Sequence, residues 1–324
     1  MLNSVRAATD LFDKRGAIYC DRPRFVLFEL MGFEATLTFL QWGPRFQLHR
    51  RALQSAFTKP KIVQYQELQT TEARRLVRSL MRDPTQHETL LRRFATAIVM
   101  SVAFGHTITR DDDPYIQLAV DASYALGHGG APAGTPVDFF PPLRHLPNFL
   151  APLSRSLKFA RDWRWAIRGI HELPFAETQR RMKEGTAEDS FIRTLLEEHA
   201  QNEKSNRPSK GPQMTIADIQ GAAGAIYAAG QDTTWSTLVV FLLNMIRHPE
   251  IARQARKEID AAIGTDRLPD FGDRDALPCI GRIVQETLRW APVSPIGVPH
   301  RSIQDDEYRG WHIPKGSLVF ANAR

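Results

Sequence analysis

The chain has 324 residues, 43% of them hydrophobic, with 42 Lys and Arg against 36 Asp and Glu and a formal net charge of +6. That length and apolar content bury a substantial core and exclude a disordered or fibrous protein. The basic excess is spread along the chain without a Lys/Arg block or an aromatic-interleaved patch, which excludes a nucleic-acid partner. Two cysteines, Cys20 and Cys279, make neither a disulfide framework nor a zinc spacing, and read as bland core thiols of a reducing compartment.

Met1 to Arg15 reads as an amphipathic segment with no apolar run of signal-peptide or membrane-span length. Gly43-Pro44 leads into a helix over Phe46 to Phe57, and Leu91, Phe94, Ile98, Val99 and Val102 set the apolar face of another over Glu88 to Phe104. Asp111, Asp112 and Asp113 precede Pro114 in a loop, with no second acidic cluster to make a metal-dependent diphosphate enzyme. Between Gly127 and Pro152 the pattern dissolves into Gly-Gly, Ala-Pro and Pro-Pro breakers, which predicts a long loop shaping entry to a site. A polar stretch, Gln201 to Gln213, precedes the most informative helix.

That helix opens at Thr215, with Asp218 three residues on in a capping-box arrangement, and stops before Pro249. From Ile216 to Arg247 it would run roughly 48 Å at 1.5 Å per residue, the width of a domain, and so through the core. A charged amphipathic helix follows over Pro249 to Ile263, and a third over Cys279 to Trp290. Beyond Pro292 the period changes, and Gly297 to Arg301, Ile313 to Gly316 and Leu318 to Phe320 read as short strands with turns. The fold class is mainly α with a small β part.

On the long helix Gly221, Ala222, Ala223, Gly224, Ala225, Ala228, Ala229 and Gly230 leave one face nearly bare. Tight helix packing and a flat cofactor over Ala229 and Gly230 both account for it. Asp232 and Thr233 break the apolar run with an acid and a hydroxyl, and a buried carboxylate without a partner costs several kcal/mol. The pair offers a proton donor and a hydroxyl relay, or Thr233 simply bonds back to the Ala229 carbonyl. Glu286 and Arg289 share a helix face three residues apart, and their apolar flanks, Ile283, Val284, Leu288 and Trp290, predict a partly buried pair.

Ala229-Gly230-Gln231-Asp232-Thr233, His248-Pro249-Glu250, Glu286-Thr287-Leu288-Arg289, Pro299-His300-Arg301 and Ile313-Pro314-Lys315-Gly316 together resemble the cytochrome P-450 haem-thiolate monooxygenases, in that family's order and spacing. Gly43 to Arg51 fits the family's cofactor-facing helix, and the nearest likeness is to fungal secondary-metabolite oxidases. The resemblance implies haem b (iron protoporphyrin), an NADPH-dependent reductase as electron donor, and hydroxylation or epoxidation of a lipophilic small molecule with O2. It implies that Asp232 and Thr233 deliver protons during dioxygen activation and that Ala229 and Gly230 lie against the cofactor. His300 and Arg50 would reach its propionates as charge-assisted donors, and Glu286 with Arg289 would brace the structure beneath it. Ala225, Ile296 and Val298 would line the substrate.

Two departures follow. Phe46 stands where the family usually has a Trp four residues before Arg50, and it has no indole N–H to donate. The family's axial Cys lies in a Phe-x-x-Gly-x-x-x-Cys loop, and neither Cys20 nor Cys279 has that context. The chain therefore reads as a single, incomplete cytochrome P-450 domain over residues 1–324, lacking anchor and Cys loop, and inactive alone. Its parent would sit on the endoplasmic reticulum membrane and this chain in the cytoplasm. The competing reading is a non-catalytic helical module that binds partners or lipophiles.

Overall fold

Apolar residues recur at three- and four-residue spacing over most of the chain, and those stretches are helices. The computed structural model describes residues 1–130, 134–204 and 212–323. The helices are α1 (Val5–Ala8), α2 (Val26–Met31), α3 (Pro44–Ala56), α4 (Lys59–Ile62), α5 (Gln66–Arg82), α6 (His87–Phe104) and α7 (Pro114–His128). They continue as α8 (Pro136–Phe139), α9 (Arg155–Glu184), α10 (Phe191–Lys204), α11 (Ile216–Arg247), α12 (Pro249–Ile263) and α13 (Pro278–Trp290). Two small antiparallel ribbons close the chain: β1 (His300–Arg301) pairs with β4 (Leu318–Val319), and β2 (Asp306–Tyr308) with β3 (Trp311–Ile313).

The long helix has the predicted bounds, and its predicted cap is made. Thr215 Oγ1 accepts from the Asp218 N–H at 3.1 Å, and the Asp218 carboxylate accepts from the Thr215 N–H at 3.1 Å. The same carboxylate accepts from Arg45 Nε at 2.5 Å and bonds His49 Nε2 at 3.1 Å, so one buried acid caps α11 and fastens α3 to it. Burial pushes Asp218 up, but the bonds from His49, Arg45 and Thr215 outweigh it and hold the acid well below the usual carboxylate range. Burial keeps His49 neutral against the pull of Asp218. A neutral ring donating through Nε2 leaves Nδ1, which has no partner, with a lone pair rather than an orphan N–H.

The bare face of α11 is where its neighbours come in. A Cβ on Gly221 would collide with the Ala35 carbonyl, one on Gly224 with the His171 ring of α9, and one on Gly230 with Val99 of α6. Close packing thus accounts for these glycines, Gly230 included. His171 is fixed at both ends: Nδ1 donates to the Ile167 carbonyl at 2.7 Å, and Nε2 takes a bond from Thr36 Oγ1 at 3.1 Å. The main core gathers Phe25, Phe28, Met31, Phe33, Met100, Phe104, Ile170 and Tyr227 around this first half of α11.

The second half of the helix departs from expectation. After Gln231 Asn244 is its only buried residue, and Leu243 and Ile246 are exposed. Here α12 and α13 cover one side, through a small cluster of Ala255, Cys279 and Ile283, and the opposite side is open. The expected loop from Gly127 to Pro152 is more structured than its breakers indicated. Pro at the first helical turn of α8 and of the 3₁₀ segment Pro141–His145 starts short helices, because proline's fixed φ suits that position. The expected loop before the long helix falls largely on residues 205–211, outside the described residues.

Burial holds His49, His171 and His300 below the ordinary imidazole value of 6.5. The unfolded chain therefore takes up protons first as pH falls, so the stability these rings allow is complete above about pH 6.5 and declines below it. Denaturant melts at stepped pH should show that decline, with a shallower slope in His171→Gln. Gly221→Ala should cost about 2 kcal/mol through overpacking against Ala35, read from the same melts.

Candidate functional site

Residues four apart share a helix face, and on α11 that rule lines up Ala225, Ala229, Thr233 and Thr237. Ala225 is buried at the inner end of the row, while Ala229 and Thr233 are exposed. The row runs onto an open groove of about 440 Å³ lined by Thr233, Thr234, Thr237, Leu238, Leu288 and Val293. Thr233 Oγ1 donates to the Ala229 carbonyl at 2.7 Å and Thr237 Oγ1 to the Thr233 carbonyl at 2.8 Å. The helix stays unbroken through both, so the back-bond does not open it. With its proton spent inward, each hydroxyl presents oxygen lone pairs to the groove.

Asp232 is not the buried acid expected from the apolar run. Its side chain is 32% exposed, because Gly230 and Gln231 take the inward positions of that turn. Gln231 Nε2 donates to Ser123 Oγ at 2.5 Å and to the Ala119 carbonyl at 3.3 Å, which fixes the rotation of α11 against α7. That leaves Asp232 partly exposed, facing Arg92 of α6, with Nη1 at 3.9 Å. The Arg92 guanidinium lies 3.4 Å from the centroid of the Trp235 ring and 3.7 Å from Glu88. Burial pushes Arg92 down and the two acids push it back up. Sequence spacing gave no sign of Arg92, which sits on a helix read only for its apolar face.

Two arginines and a histidine come together at the other end of the site. His300 on β1 stacks on Phe12 with centroids 4.4 Å apart, and its Nδ1 donates to the Tyr19 carbonyl at 2.6 Å, leaving Nε2 as the ring's remaining polar atom. Burial, and then the charge of Arg22, hold its protonation below the ordinary range. Arg22 donates through Nη1 to the carbonyls of Val298 and Pro299 at 2.8 and 2.9 Å. It is itself pushed down by burial and by the charge of Arg50, which is exposed on α3. Arg22 went unseen because it lies in a stretch without helical or strand period. Phe46 is buried and packs against Trp42, ring centroids 5.3 Å apart.

The remaining predicted residues divide. Glu286 and Arg289 make a two-pronged pair at 2.6 Å, but with side chains 59% and 70% exposed, against the expected partial burial. The reason is that α13 turns Cys279, Ile283 and Thr287 inward and leaves Val284, Leu288 and Trp290 largely exposed beside the pair. Ile296 is exposed and Val298 packs against the main core, so only Ala225 and Val298 of the expected substrate residues join the protein interior. Asp111 pairs with Arg75 and Arg93, Asp112 with Arg110, and Asp113 caps α7, so the three acids face different partners. Cys20 is half-buried rather than a core thiol, with Sγ 3.2 Å from the Ala17 carbonyl.

A haem asks for a flat approach to one helix face, cations for two carboxylates, and an axial ligand. The open row Ala229–Thr233 fits the first and the cluster of Arg22, Arg50 and His300 fits the second. Neither cysteine supplies a thiolate there: Cys279 is buried between α12 and α13, and burial pushes the Cys20 thiol up. The residues present thus fit the porphyrin's face and carboxylates but hold no sulfur for its iron.

The Cytochrome P450 family model matches residues 1–324. A cytochrome P450 monooxygenase of Armillaria gallica is 34% identical over 100% of this chain and 62% of its own length. Cytochrome P450 monooxygenase 136 of Postia placenta is 35% identical over 99% and 60%, and claR of Ampulloclitocybe clavipes is 35% identical over 99% and 58%. The chain thus spans about 60% of the length of these relatives. The structure of a zebra fish cytochrome P450 with progesterone superposes with a TM-score of 0.79 at 22% identity, over 99% of this chain and 72% of that one, a likeness of fold. With a family match along its whole length and fungal relatives above 30% identity, the chain belongs to the cytochrome P450 family.

Proposed function

We propose that these residues build the dioxygen-facing side of a haem monooxygenase that hydroxylates or epoxidises a lipophilic small molecule, in fungal secondary metabolism, with electrons from an NADPH-dependent reductase. The observation that carries the reading is the open hydroxyl row of α11, with the partly exposed Asp232 carboxylate one residue before Thr233. Haem b, when bound, supplies the activation of O2. Ala229 would give its plane room, Arg22 and Arg50 would hold its carboxylates by charge-assisted bonds, and His300 would join them on taking a proton at Nε2, which an adjacent anion favours.

Asp232 and Thr233 then have separable tasks. Thr233 presents an acceptor oxygen toward the groove while its own proton is held by Ala229. Asp232, partly in water and faced by Arg92, would hand a solvent proton to the Thr233 oxygen as Thr233 releases its own from the Ala229 carbonyl into the groove. Ala225, Ile296 and Val298 offer only apolar surface, which favours a greasy substrate. Among the described residues no helix is long and apolar enough to cross a membrane. We place the protein the chain represents at the endoplasmic reticulum, on the family's habit alone.

The test is spectroscopic and then kinetic. Supplied with the further length its relatives carry and loaded with haem, the reduced protein should give the thiolate-type Soret band with carbon monoxide. A protein without that band contradicts the reading. Asp232→Asn should keep the band and lower kcat about 100-fold, the scale of a lost proton-transfer group, with peroxide released instead of product.

A further inference from the structure

We infer that Asp21 is a positioning residue for the porphyrin carboxylates: it assembles Arg22, Arg50 and His300 into one cradle by holding together the three chain segments that carry them. The inference rests on the reading of those cations as a carboxylate site. Asp21 is 5% exposed, and both of its oxygens are committed. Oδ1 accepts from the N–H of Arg22 at 2.8 Å and of Trp42 at 2.6 Å. Oδ2 accepts from Arg301 Nε at 2.8 Å and Nη2 at 2.5 Å. Its carbonyl receives the Arg301 N–H at 2.8 Å, an antiparallel bridge between the two residues.

Those bonds land on the three segments that carry the cradle. Arg22 is the following residue, Arg301 follows His300 on β1, and Trp42 stands two residues before α3, which carries Arg50. Arg22 then straps itself to the carbonyls of Val298 and Pro299, and His300 to that of Tyr19, so residues 19–22 and 298–301 are laced together from both sides. The arginine charges repel as they approach, and Asp21 is the acid that takes bonds from both the residue 42 and the residue 301 segments. Its ion pair with Arg301 neutralises that cation and leaves Arg22, Arg50 and the Nε2 of His300 for an anion. A buried carboxylate with four donors is costly to break and fixes geometry, and here the geometry fixed is that of the cradle.

The test uses metal-free protoporphyrin IX and its dimethyl ester, which share a ring and differ only in the two carboxylates, so the iron's ligand plays no part. Binding of each to this chain is read by quenching of tryptophan fluorescence. The wild type should prefer the diacid, and Asp21→Asn should lower that preference about tenfold, the scale of one charge-assisted bond, with ester binding unchanged. Arg22→Gln should do the same. Equal loss of both ligands makes Asp21 merely structural and overturns the assignment, as does an unaltered preference. Where Asp21→Asn fails to melt cooperatively, Arg301→Lys, which keeps the charge and loses the two-pronged contact, is read by the same ratio, and an unchanged ratio there also overturns it. A wild type indifferent to the two ligands defeats the cradle itself, while a wild type that prefers the diacid beside an equally selective Asp21→Asn defeats Asp21 alone.

Discussion

A helix of 32 residues is too long for a core of this size to cover at both ends, and the structure resolves that constraint by treating the two halves of α11 differently. The first half is sunk among neighbours that approach its backbone through Gly221, Gly224 and Gly230. The second half keeps one side against α12 and α13 and leaves the other facing a groove. The acid and hydroxyls stand where one regime gives way to the other. Gln231, buried against α7, is the residue that sets their rotation, since turning α11 by one position would bury Asp232 and lift Gln231 to the rim.

Two buried carboxylates secure the segments around this helix, and both follow one rule. Asp218 takes bonds from its own cap, from Arg45 and from His49. Asp21 takes two backbone N–H groups and a two-pronged arginine. Desolvating an acid is repaid only when its lone pairs are filled, and filling them from separate segments, α3 and the α11 cap for Asp218 and three segments for Asp21, makes each acid a joint. The joints place α3 beside the start of α11 and β1 beside residues 19–22. Arg92 is the counterexample: its Nη1 is buried without a hydrogen bond, as is the Nε1 of Trp235, so the corner facing Asp232 is polar and incompletely satisfied.

Helix bounds were legible wherever a cap or a proline stood at a period boundary. Thr215 with Asp218 and the proline at 249 placed the long helix and the start of the next, and the chain order of motifs pointed to the family before any contact was known. Burial was not legible from local pattern. Ile283 and Leu288 look alike in the sequence, yet one is covered and the other exposed, because cover depends on what lies across from α13. For the same reason Asp232 was expected inside and is partly exposed. Arg22 and Asp21 escaped notice since their roles come from chain crossings almost 280 residues apart in sequence, and no local period records a crossing.

The central claim is that the open face of α11 receives a porphyrin whose carboxylates point to the basic residues at 22, 50 and 300. The most direct measurement is a crystal structure of the protein with haem bound. The account predicts the ring plane over Ala229 and Thr233, with its carboxylates within hydrogen-bond reach of Arg22, Arg50 and His300. Haem seated elsewhere, such as in the cleft between Asn244 and Trp290, or with its carboxylates turned to the opposite side, would contradict it.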